Sequence, residues 1–412
     1  MQMTKPDATA FDPAEVKKQF PIFSSHPQLR YLDNAATTQC PTAVIQAVDQ
    51  HECQSRANIS RGIYPLAEAA TEAYNQARNR LAQYLGAQDA SEIIFTSGTT
   101  GAINLLANAY AVDLKEGDEI LLSLAEHHSN LLPWQILSRR TGVKLRFLPL
   151  TADGRIDMRS LHRLVTERCR LVAVTHASNV TGAVTELGPL IDAAHSVDAA
   201  VMLDGAQMAQ HGPLDINALG VDFYALSGHK MFGPTGIGLL WGRRNLLEKL
   251  TPPFGGGGMV HRVTIDSFEA AELPARLEPG TPAIAQAVGL AAAAAWLMEL
   301  DLKAVESHLK HLTGHLLDGL NSIPGIRLIG PGDLYQRLSL VSLDLAKVHP
   351  HDLSQIFADR GIAVRGGHHC AEPLMKFFSL MGTTRASLAL YNDETDIDAL
   401  LLAIEEAQRI LI

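Results

Sequence analysis

The side chain with the clearest chemical potential is a lysine that directly follows a predicted core strand. The apolar run 221–226 predicts a short buried strand, and the small polar turn after it ends in Ser227-Gly228-His229-Lys230. Partial burial there lowers the pKa of Lys230 towards the neutral amine, which is a good nucleophile for aldehydes. The stretch alone is equally compatible with a loop lysine that points into water, so other residues must decide.

Other chemically useful residues also stand where a predicted strand ends or a helix begins: Thr99, His127, Asn179 and Asp204. Strands and helices alternate regularly from about residue 93 to 241, which predicts a mostly parallel sheet covered by helices on both faces. Right-handed crossovers place the carboxyl ends of parallel strands at one edge of the sheet, where ligands bind. We therefore expect these side chains to share one cleft with Lys230.

This set of residues suits a cofactor that carries an aldehyde, a pyridine ring and a phosphate. Lys230 supplies the amine, Asp204 can keep the ring nitrogen protonated, and His127 can stack on the ring. Taken singly, each residue favours an ordinary structural role: Asp204 that of a helix cap, and one of His127 and His128 that of a core histidine. Their combination at strand ends favours the cofactor site.

The phosphate and the ring oxygen of such a cofactor also find partners in the sequence. Ser97-Gly98-Thr99-Thr100 offers hydroxyls and backbone N–H groups at a helix start, although the same pattern is an ordinary helix cap. Asn179 and Gln207 are candidate hydrogen-bond partners for the phenolic oxygen.

Length and composition limit what kind of protein positions these residues. A chain of 412 residues with 47% hydrophobic and 19% charged residues predicts a well-packed protein of two domains. A net charge of −10 argues against nucleic acid or an anionic membrane as the main partner. No apolar run reaches the ~20 residues of a membrane span, and residues 1–20 lack the hydrophobic region of a secretory signal.

The four cysteines, Cys40, Cys53, Cys169 and Cys370, lie far apart and form no CxxC pair. We therefore expect neither a disulfide framework nor a metal site. We expect the protein to function in a reducing, cytoplasmic compartment. After the loop Gly255-Gly256-Gly257-Gly258 and an Ala-rich helix over 282–300, helices and strands follow in the order of a smaller α+β domain. We expect residues 21–290 to form the large, cofactor-binding domain, and residues 1–20 and 291–412 to form the small one.

Several motifs together resemble one family. The chain is similar to the fold-type I, class V aminotransferase family of enzymes dependent on pyridoxal 5′-phosphate (PLP), and within it to cysteine desulfurases of the Suf/Csd type (group II). The similarity spans residues 31–387. The matching motifs are Tyr31-Leu32-Asp33-Asn34-Ala35-Ala36, Gly98-Thr99-Thr100, Glu126-His127-His128, Ser178-Asn179-Val180-Thr181-Gly182, Asp204-Gly205-Ala206-Gln207, Ser227-Gly228-His229-Lys230, Gly280-Thr281-Pro282, Arg365-Gly366-Gly367-His368-His369-Cys370 and Arg385-Ala386-Ser387.

The resemblance implies a role for each matching residue. Lys230 binds the cofactor covalently and later moves protons, His127 stacks on its ring, and Asp204 pairs with the ring nitrogen. Arg385 grips the substrate carboxylate through a bidentate fork, with Arg365 nearby in the substrate site. The remaining implied contacts are to the phosphate (Thr99, Thr100, Ser227, His229, and Thr281 from a second subunit of a homodimer), to the phenolic oxygen (Asn179, Gln207) and to the substrate pocket (Asn34, Ala35).

Cys370 distinguishes a desulfurase from a transaminase. A lone thiol after two histidines and near Arg365 lies in an electropositive turn that favours the thiolate, whereas a buried, inert thiol is the commoner role of a free cysteine. By the resemblance, Cys370 attacks the sulfur of L-cysteine, keeps it as a persulfide and releases L-alanine. The short span from Arg365 to Pro373 resembles the group II loop, which implies low activity until a SufE/CsdE-like acceptor collects the sulfur.

Other functions remain open at this point. Selenocysteine lyase and cysteine-sulfinate desulfinase use the same scaffold and depend less on Cys370. A transaminase would not need this cysteine, and intact Lys230 and Cys370 argue against a non-catalytic sulfur-relay subunit. Three residues also depart from the group II pattern: Ser60 where His is usual, Ser97 for a frequent Arg, and Gly101 for a frequent Glu. We expect the last two near the dimer interface.

Overall fold

The computed structural model describes residues 11–411, so residues 1–10 of the predicted small-domain segment 1–20 lie outside it. The strands within the described range are β1 Arg30–Tyr31, β2 Ile93–Thr96, β3 Glu119–Ser123, β4 Lys144–Leu148, β5 Cys169–Thr175, β6 Ala200–Asp204, β7 Phe223–Ser227, β8 Gly238–Gly242, β9 Val260–Val263, β10 Phe268–Ala270, β11 Ile326–Ile329, β12 Leu340–Leu345, β13 Ile362–Ala363, β14 Arg365–Gly367 and β15 Thr383–Ser387.

The helices within the same range are α1 Pro13–Lys17, α2 Pro21–Ser25, α3 Thr42–Gln54, α4 Pro65–Leu85, α5 Thr99–Tyr110, α6 Leu132–Thr141, α7 Leu161–Leu164, α8 Leu187–His195, α9 Ile216–Leu219, α10 Arg244–Leu247, α11 Ile284–Met298, α12 Leu302–Ser322, α13 Pro350–Ala358, α14 Glu372–Phe377 and α15 Glu394–Leu411. Among these, none is long and apolar enough to cross a lipid bilayer.

A seven-stranded sheet forms the centre of the larger unit, in the order β2-β8-β7-β6-β5-β3-β4. Only β8 runs against its neighbours, so the predicted mostly parallel sheet is confirmed. Strand residues alternate between two apolar layers because successive side chains point to opposite faces. Val172 and Val174 of β5 pack towards α4, α8 and α11, whereas Leu171 and Ala173 pack towards α5 and α6. Helices therefore cover both faces.

A second, antiparallel sheet has the order β11-β12-β15-β14 and packs against α12 and α13, and α15 packs in turn against these two helices. This agrees with the smaller α+β unit expected after residue 291. The domain limits themselves stay a prediction: residue 290 lies inside α11, and β1 pairs with β13 across the proposed division. The hairpin of β9 and β10 was not predicted from the sequence.

Candidate active site

Lys230 lies at the carboxyl edge of the large sheet, in a tight turn after β7. The turn 228–230 is a single 3₁₀ turn, and a Cβ on Gly228 would meet the carbonyl oxygen of Pro234 at 2.9 Å. Lys230 lines a cavity of about 290 Å³. Removal from bulk water lowers the pKa of its ammonium to about 8, although the Asp204 carboxylate acts in the opposite direction. The neutral, nucleophilic amine is therefore far more populated near neutral pH than for a lysine with the ordinary pKa of 10.5.

Asp204 is the last residue of the neighbouring strand β6 and lines the same cavity. Its Oδ1 accepts a hydrogen bond from the Ala206 N–H at 3.0 Å. Burial raises the pKa of this carboxyl group, while the Ala206 N–H and the charge on Lys230 lower it. A cation placed in the cavity would stabilise the ionised carboxylate.

Hydroxyl groups gather where α5 begins. Gly98, at φ 133°, leads into the helix in a conformation that favours glycine. The Thr99 N–H donates to the Ser227 Oγ at 2.8 Å, and the two hydroxyl oxygens are also 2.8 Å apart. The Thr100 Oγ1 lies 2.7 Å from the Ser129 Oγ. Because the first N–H groups of a helix lack helical acceptors, this end of the cavity suits a phosphate.

His127 stands beside this helix start with its ring orientation determined by Ser129. The Ser129 N–H donates to the His127 Nδ1 at 3.1 Å, which leaves the proton of a neutral ring on Nε2. Burial, and then the charge on Lys230, lower the pKa of His127 to about 3. The ring is therefore neutral and able to stack on another ring.

Two amide side chains, those of Gln207 and Asn179, also line the cavity. The Gln207 Nε2 donates to the Ala35 carbonyl oxygen at 2.8 Å, while its buried Oε1 has no partner among the described residues. The Asn179 Nδ2 donates to the His369 carbonyl oxygen at 2.9 Å. Asn34, in contrast, does not line the cavity. Its Nδ2 donates to the Ser387 carbonyl oxygen at 2.7 Å, which helps to hold the neighbouring Ala35 in place at the cavity wall.

Two arginines, Arg365 and Arg385, also line the cavity. Arg385 on β15 is 2% exposed; its Nη1 donates to the Asn179 carbonyl oxygen at 2.8 Å, and its buried Nε has no partner among residues 11–411. Burial lowers the pKa of its guanidinium to about 10, so it stays charged at neutral pH. Arg365 on β14 is half-exposed. Both arginines contact Asp33, a contact that sequence reasoning missed.

Cys370 is exposed and lines the same cavity as the two arginines and His127. It follows His369, and both residues have positive φ, 55° and 52°. The His128 N–H donates to the Cys370 carbonyl oxygen at 2.8 Å, and the Glu372 N–H donates to the His128 Nε2 at 3.3 Å. Together with the bond from Asn179 to the His369 carbonyl oxygen, these contacts attach the cysteine loop to the segments that follow β3 and β5 of the large sheet.

Of the predicted site residues, Thr281 and Asn34 do not reach this cavity within one chain. Thr281 lines a separate cavity with Ser97 and Gly101. A Cβ on Gly101 would meet the Ser97 Oγ at 2.6 Å, so these two departures from the family pattern are in contact. Sequence reasoning missed Ser129, Thr175 and His369, which also line the main cavity. Ser129 could have been found because it directly follows His127 and His128.

A lysine after a strand of a mostly parallel sheet, a buried aspartate on the next strand and a hydroxyl-rich helix start are the features expected of fold-type I PLP enzymes. Residues 30–400 match the family model of the class V aminotransferases. The chain therefore belongs to the class V aminotransferase family, whose cysteine desulfurase branch depends on PLP.

Within this family, several individual relatives that resemble the chain are cysteine desulfurases. A probable cysteine desulfurase of Halalkalibacterium halodurans is 43% identical over 96% of this chain and 97% of its own. The crystal structure of the cysteine desulfurase CsdA from Escherichia coli superposes with a TM-score of 0.91 at 42% identity, covering 98% of this chain and all of that one. The apo structure of a cysteine desulfurase from Thermococcus onnurineus has a TM-score of 0.92 at 35% identity, over the full length of both chains.

Proposed function

We propose that this chain is a PLP-dependent cysteine desulfurase that converts L-cysteine to L-alanine and keeps the sulfur as a persulfide on Cys370. The observation that carries the proposal is the exposed Cys370 thiol, which lines the same cavity as the amine of Lys230 and the buried guanidinium of Arg385. A transaminase needs the last two groups but not the thiol. Selenocysteine and cysteine sulfinate are alternative substrates of the same scaffold.

The residues of the cavity fit PLP. Lys230 would hold the aldehyde carbon, Asp204 the ring nitrogen, and Thr99, Thr100, Ser227 and His229 the phosphate. The Oε1 of Gln207 is buried and has no hydrogen-bond partner among residues 11–411, and a bound cofactor would supply one. When bound, PLP supplies an electron sink that stabilises negative charge on the substrate.

The protein groups then have separate tasks. The Arg385 Nε is a buried donor free to receive the substrate carboxylate, and Arg365 lies beside it at the entrance. The lowered pKa of Lys230 makes its Nζ able to accept a proton from the substrate Cα and to return it. His127, held neutral, would pack on the cofactor ring without adding a competing positive charge.

The sulfur step conserves atoms and electrons. A bond forms between the Cys370 Sγ and the substrate sulfur as the substrate Cβ–S bond breaks, and the electron pair of the broken bond stays with the three-carbon part. That part is protonated and leaves as alanine. The sulfur is thereby oxidised to the sulfane level while the carbon is reduced, so the step needs no external oxidant.

Three further parts of the proposal concern partners and location. A homodimer would bring Thr281 of one subunit towards the phosphate site of the other, and exposed apolar side chains such as Ile63 and Ile265 support a protein contact. A SufE/CsdE-like protein would take the sulfur from the exposed thiol of Cys370. The cytoplasm suits a free, reactive thiol.

The test is release of alanine and sulfide from L-cysteine with a thiol reductant, for the wild-type holoenzyme and for Cys370→Ala. Visible absorbance of bound PLP should be present in both, and only the wild type should release both products from cysteine. A variant that keeps turning over cysteine would instead favour selenocysteine or sulfinate chemistry. Amino transfer that depends on a keto acid would indicate a transaminase, and a colourless protein a non-catalytic subunit.

A further inference from the structure

Glu126 is a buried acid that directly precedes His127 and does not itself line the cavity. The residue is 1% exposed and lies between the end of β3 and the turn that carries His127. Its Oε2 accepts a hydrogen bond from the Asn130 Nδ2 at 2.7 Å, and its Oε1 is hydrogen-bonded to the Ser123 hydroxyl group. The Glu126 side chain therefore joins the last residue of the strand to the far end of the turn.

The bond between Glu126 and Asn130 closes a turn that presents two cavity residues, His127 and Ser129. Within this turn, the Asn130 N–H donates to the His127 carbonyl oxygen at 2.8 Å, and the Ser129 N–H orients the His127 ring. The Asn130 Oδ1 accepts a hydrogen bond from the Nε1 of the fully buried Trp134 at 2.9 Å, so α6 holds the same amide. The position of the His127 ring therefore depends on the Glu126 carboxyl group.

The surroundings of Glu126 favour a neutral carboxylic acid. Its hydrogen bonds come from neutral groups, and the charge of the Asp204 carboxylate also acts on it. The Asn130 Nδ2 donates to a backbone carbonyl oxygen of β5 at 3.1 Å as well, and β5 pairs with β6, which ends at Asp204. Burial, and to a smaller extent Asp204, raise the pKa of Glu126 to about 8, although the bonds from Ser123 and Asn130 lower it. The adjacent His127 brings no positive charge, because burial lowers its pKa to about 3.

Of these two buried acids, Asp204 is the one whose negative charge has a use. Asp204 lines the cavity, where a cation would stabilise its ionised form. Glu126 meets a hydroxyl and an amide group, which can bind a neutral acid. A neutral Glu126 donates its proton to the Ser123 hydroxyl oxygen and still accepts the bond from Asn130. Two ionised carboxylates would repel each other in a region that water does not reach.

We propose that Glu126 is a positioning residue that holds His127 and Ser129 in place at the cofactor cavity, and that it does so as a neutral acid. The negative charge at this edge of the sheet then belongs to Asp204, where a protonated pyridine nitrogen would need it. The inference rests on the proposed function for its cofactor, but the unfolding measurement that tests it needs no turnover.

Glu126→Gln tests the charge, because the amide oxygen can accept from Asn130 while the amide NH₂ group donates to Ser123. The measurement is urea unfolding of the holoenzyme, with the same excess of PLP for wild type and variant. In the unfolded chain Glu126 ionises with its ordinary pKa of 4.5, but in the folded protein it does so only near pH 8, so the wild type loses stability as the pH rises between these values. Between about pH 5.5 and 7.5, we expect the unfolding constant of the wild type to rise about tenfold per pH unit relative to that of Glu126→Gln.

The matched control is Glu119→Gln, at a buried glutamate that begins the same strand, β3. Glu119 is 3% exposed, and the Arg146 Nη2 donates to its Oε1 at 2.7 Å. Although burial raises the pKa of Glu119, the bonds from Arg146 and Thr166 outweigh it and lower that pKa. Glu119 is therefore ionised in both the folded and the unfolded chain over this pH range. Glu119→Gln should be less stable than the wild type by an amount that does not change with pH.

Glu126→Leu tests the positioning role, because it removes both hydrogen bonds and leaves the Asn130 and Ser123 groups buried without this partner. The readouts are the dissociation constant of PLP and the visible circular dichroism of bound PLP, which depends on how its ring is held. We expect Glu126→Leu to weaken PLP binding about tenfold to a hundredfold and to alter the dichroism. Glu126→Gln should keep both close to wild type. If Glu126→Leu does not fold, Glu126→Asp decides, because its shorter side chain cannot reach both partners and should also weaken PLP binding.

The inference is overturned if the stability of Glu126→Gln relative to the wild type does not rise with pH, since Glu126 would then be ionised in the folded protein. It is equally overturned if the variant that removes or shortens the side chain binds PLP as tightly as the wild type. Absence of cysteine turnover in a wild type that binds PLP would instead reject the proposed function, and the unfolding and PLP-binding measurements would still decide the role of Glu126.

Discussion

Replacing Glu278 by Gln tests whether a buried ion pair stabilises the segment that leads to Thr281. The Arg78 guanidinium meets the Glu278 carboxylate through two bonds, Nη1 to Oε1 at 2.7 Å and Nη2 to Oε2 at 2.8 Å, and the two side chains are 8% and 10% exposed. Tyr74 and the Phe95 N–H also donate to this carboxylate, at 3.1 and 2.6 Å. Through these bonds, the Glu278 carboxylate connects α4 and β2 to the segment that precedes Thr281.

The expected cost follows from what remains after the substitution. Arg78 stays charged and buried without its counter-charge, a situation that typically costs about 3–5 kcal/mol of unfolding free energy. The control is Glu248→Gln, which breaks the pair between Glu248 and Arg244, 46% and 51% exposed and one helical turn apart. Exposed pairs of this kind contribute roughly 0.3–0.5 kcal/mol.

The assay is urea unfolding followed by tryptophan fluorescence, with reversibility checked and the free energy extrapolated to water. A double variant, Arg78→Met with Glu278→Gln, should be more stable than Glu278→Gln alone, because the buried unpaired charge is gone. If Glu278→Gln loses no more stability than Glu248→Gln, or if the double variant is less stable than the single one, the ion pair does not have the role that its geometry indicates.

Three further predictions follow from the pKa shifts and contacts of the site. The rate at which the apoenzyme captures PLP should rise with pH through about 8 and then level off, because the pKa of Lys230 is lowered to about 8; an inflection near the ordinary lysine value of 10.5 would contradict this. Burial lowers the pKa of His176 to about 4 in the folded protein. Because the unfolded chain therefore binds a proton at higher pH than the folded one, the free energy of unfolding should fall as the pH drops from 6.5 towards 4. In acid unfolding curves, His176→Gln should reduce this loss of stability by up to about 3 kcal/mol. Arg385→Lys should lower kcat/KM for cysteine about tenfold to a hundredfold, because the lysine cannot reproduce the fork, and an unchanged value would exclude Arg385 as the carboxylate ligand.

Much of the fold could be predicted because its signals are local. Strands β3 and β5 to β8 are buried along most or all of their length, so each reads as a short apolar run bounded by polar turns. Lys230 was found because such a strand ends just before it. The hairpin of β9 and β10 gave no such signal: Val263 and Phe268 are exposed, and no regular apolar alternation marks the two strands.

The contacts within the site depend on residues far apart in the chain, which limits what a single sequence can predict. Asp33 lies 332 residues from Arg365 and 352 from Arg385, so its position between them follows from the folded sheet alone. The family resemblance also predicted that Asn34 borders the substrate pocket. Its side chain instead bonds to the Ser387 backbone, and the neighbouring Ala35 lines the cavity.

Mass spectrometry of the cysteine-containing peptides, after a brief reaction of the holoenzyme with L-cysteine without reductant and alkylation of free thiols, tests the central proposal most directly. We predict one additional sulfur atom on the peptide that contains Cys370 and none on the peptide with Cys53, the other exposed cysteine in the described part of the chain. Formation of alanine with no added sulfur on Cys370, or with the sulfur on Cys53, would contradict the assignment of Cys370 as the sulfur acceptor.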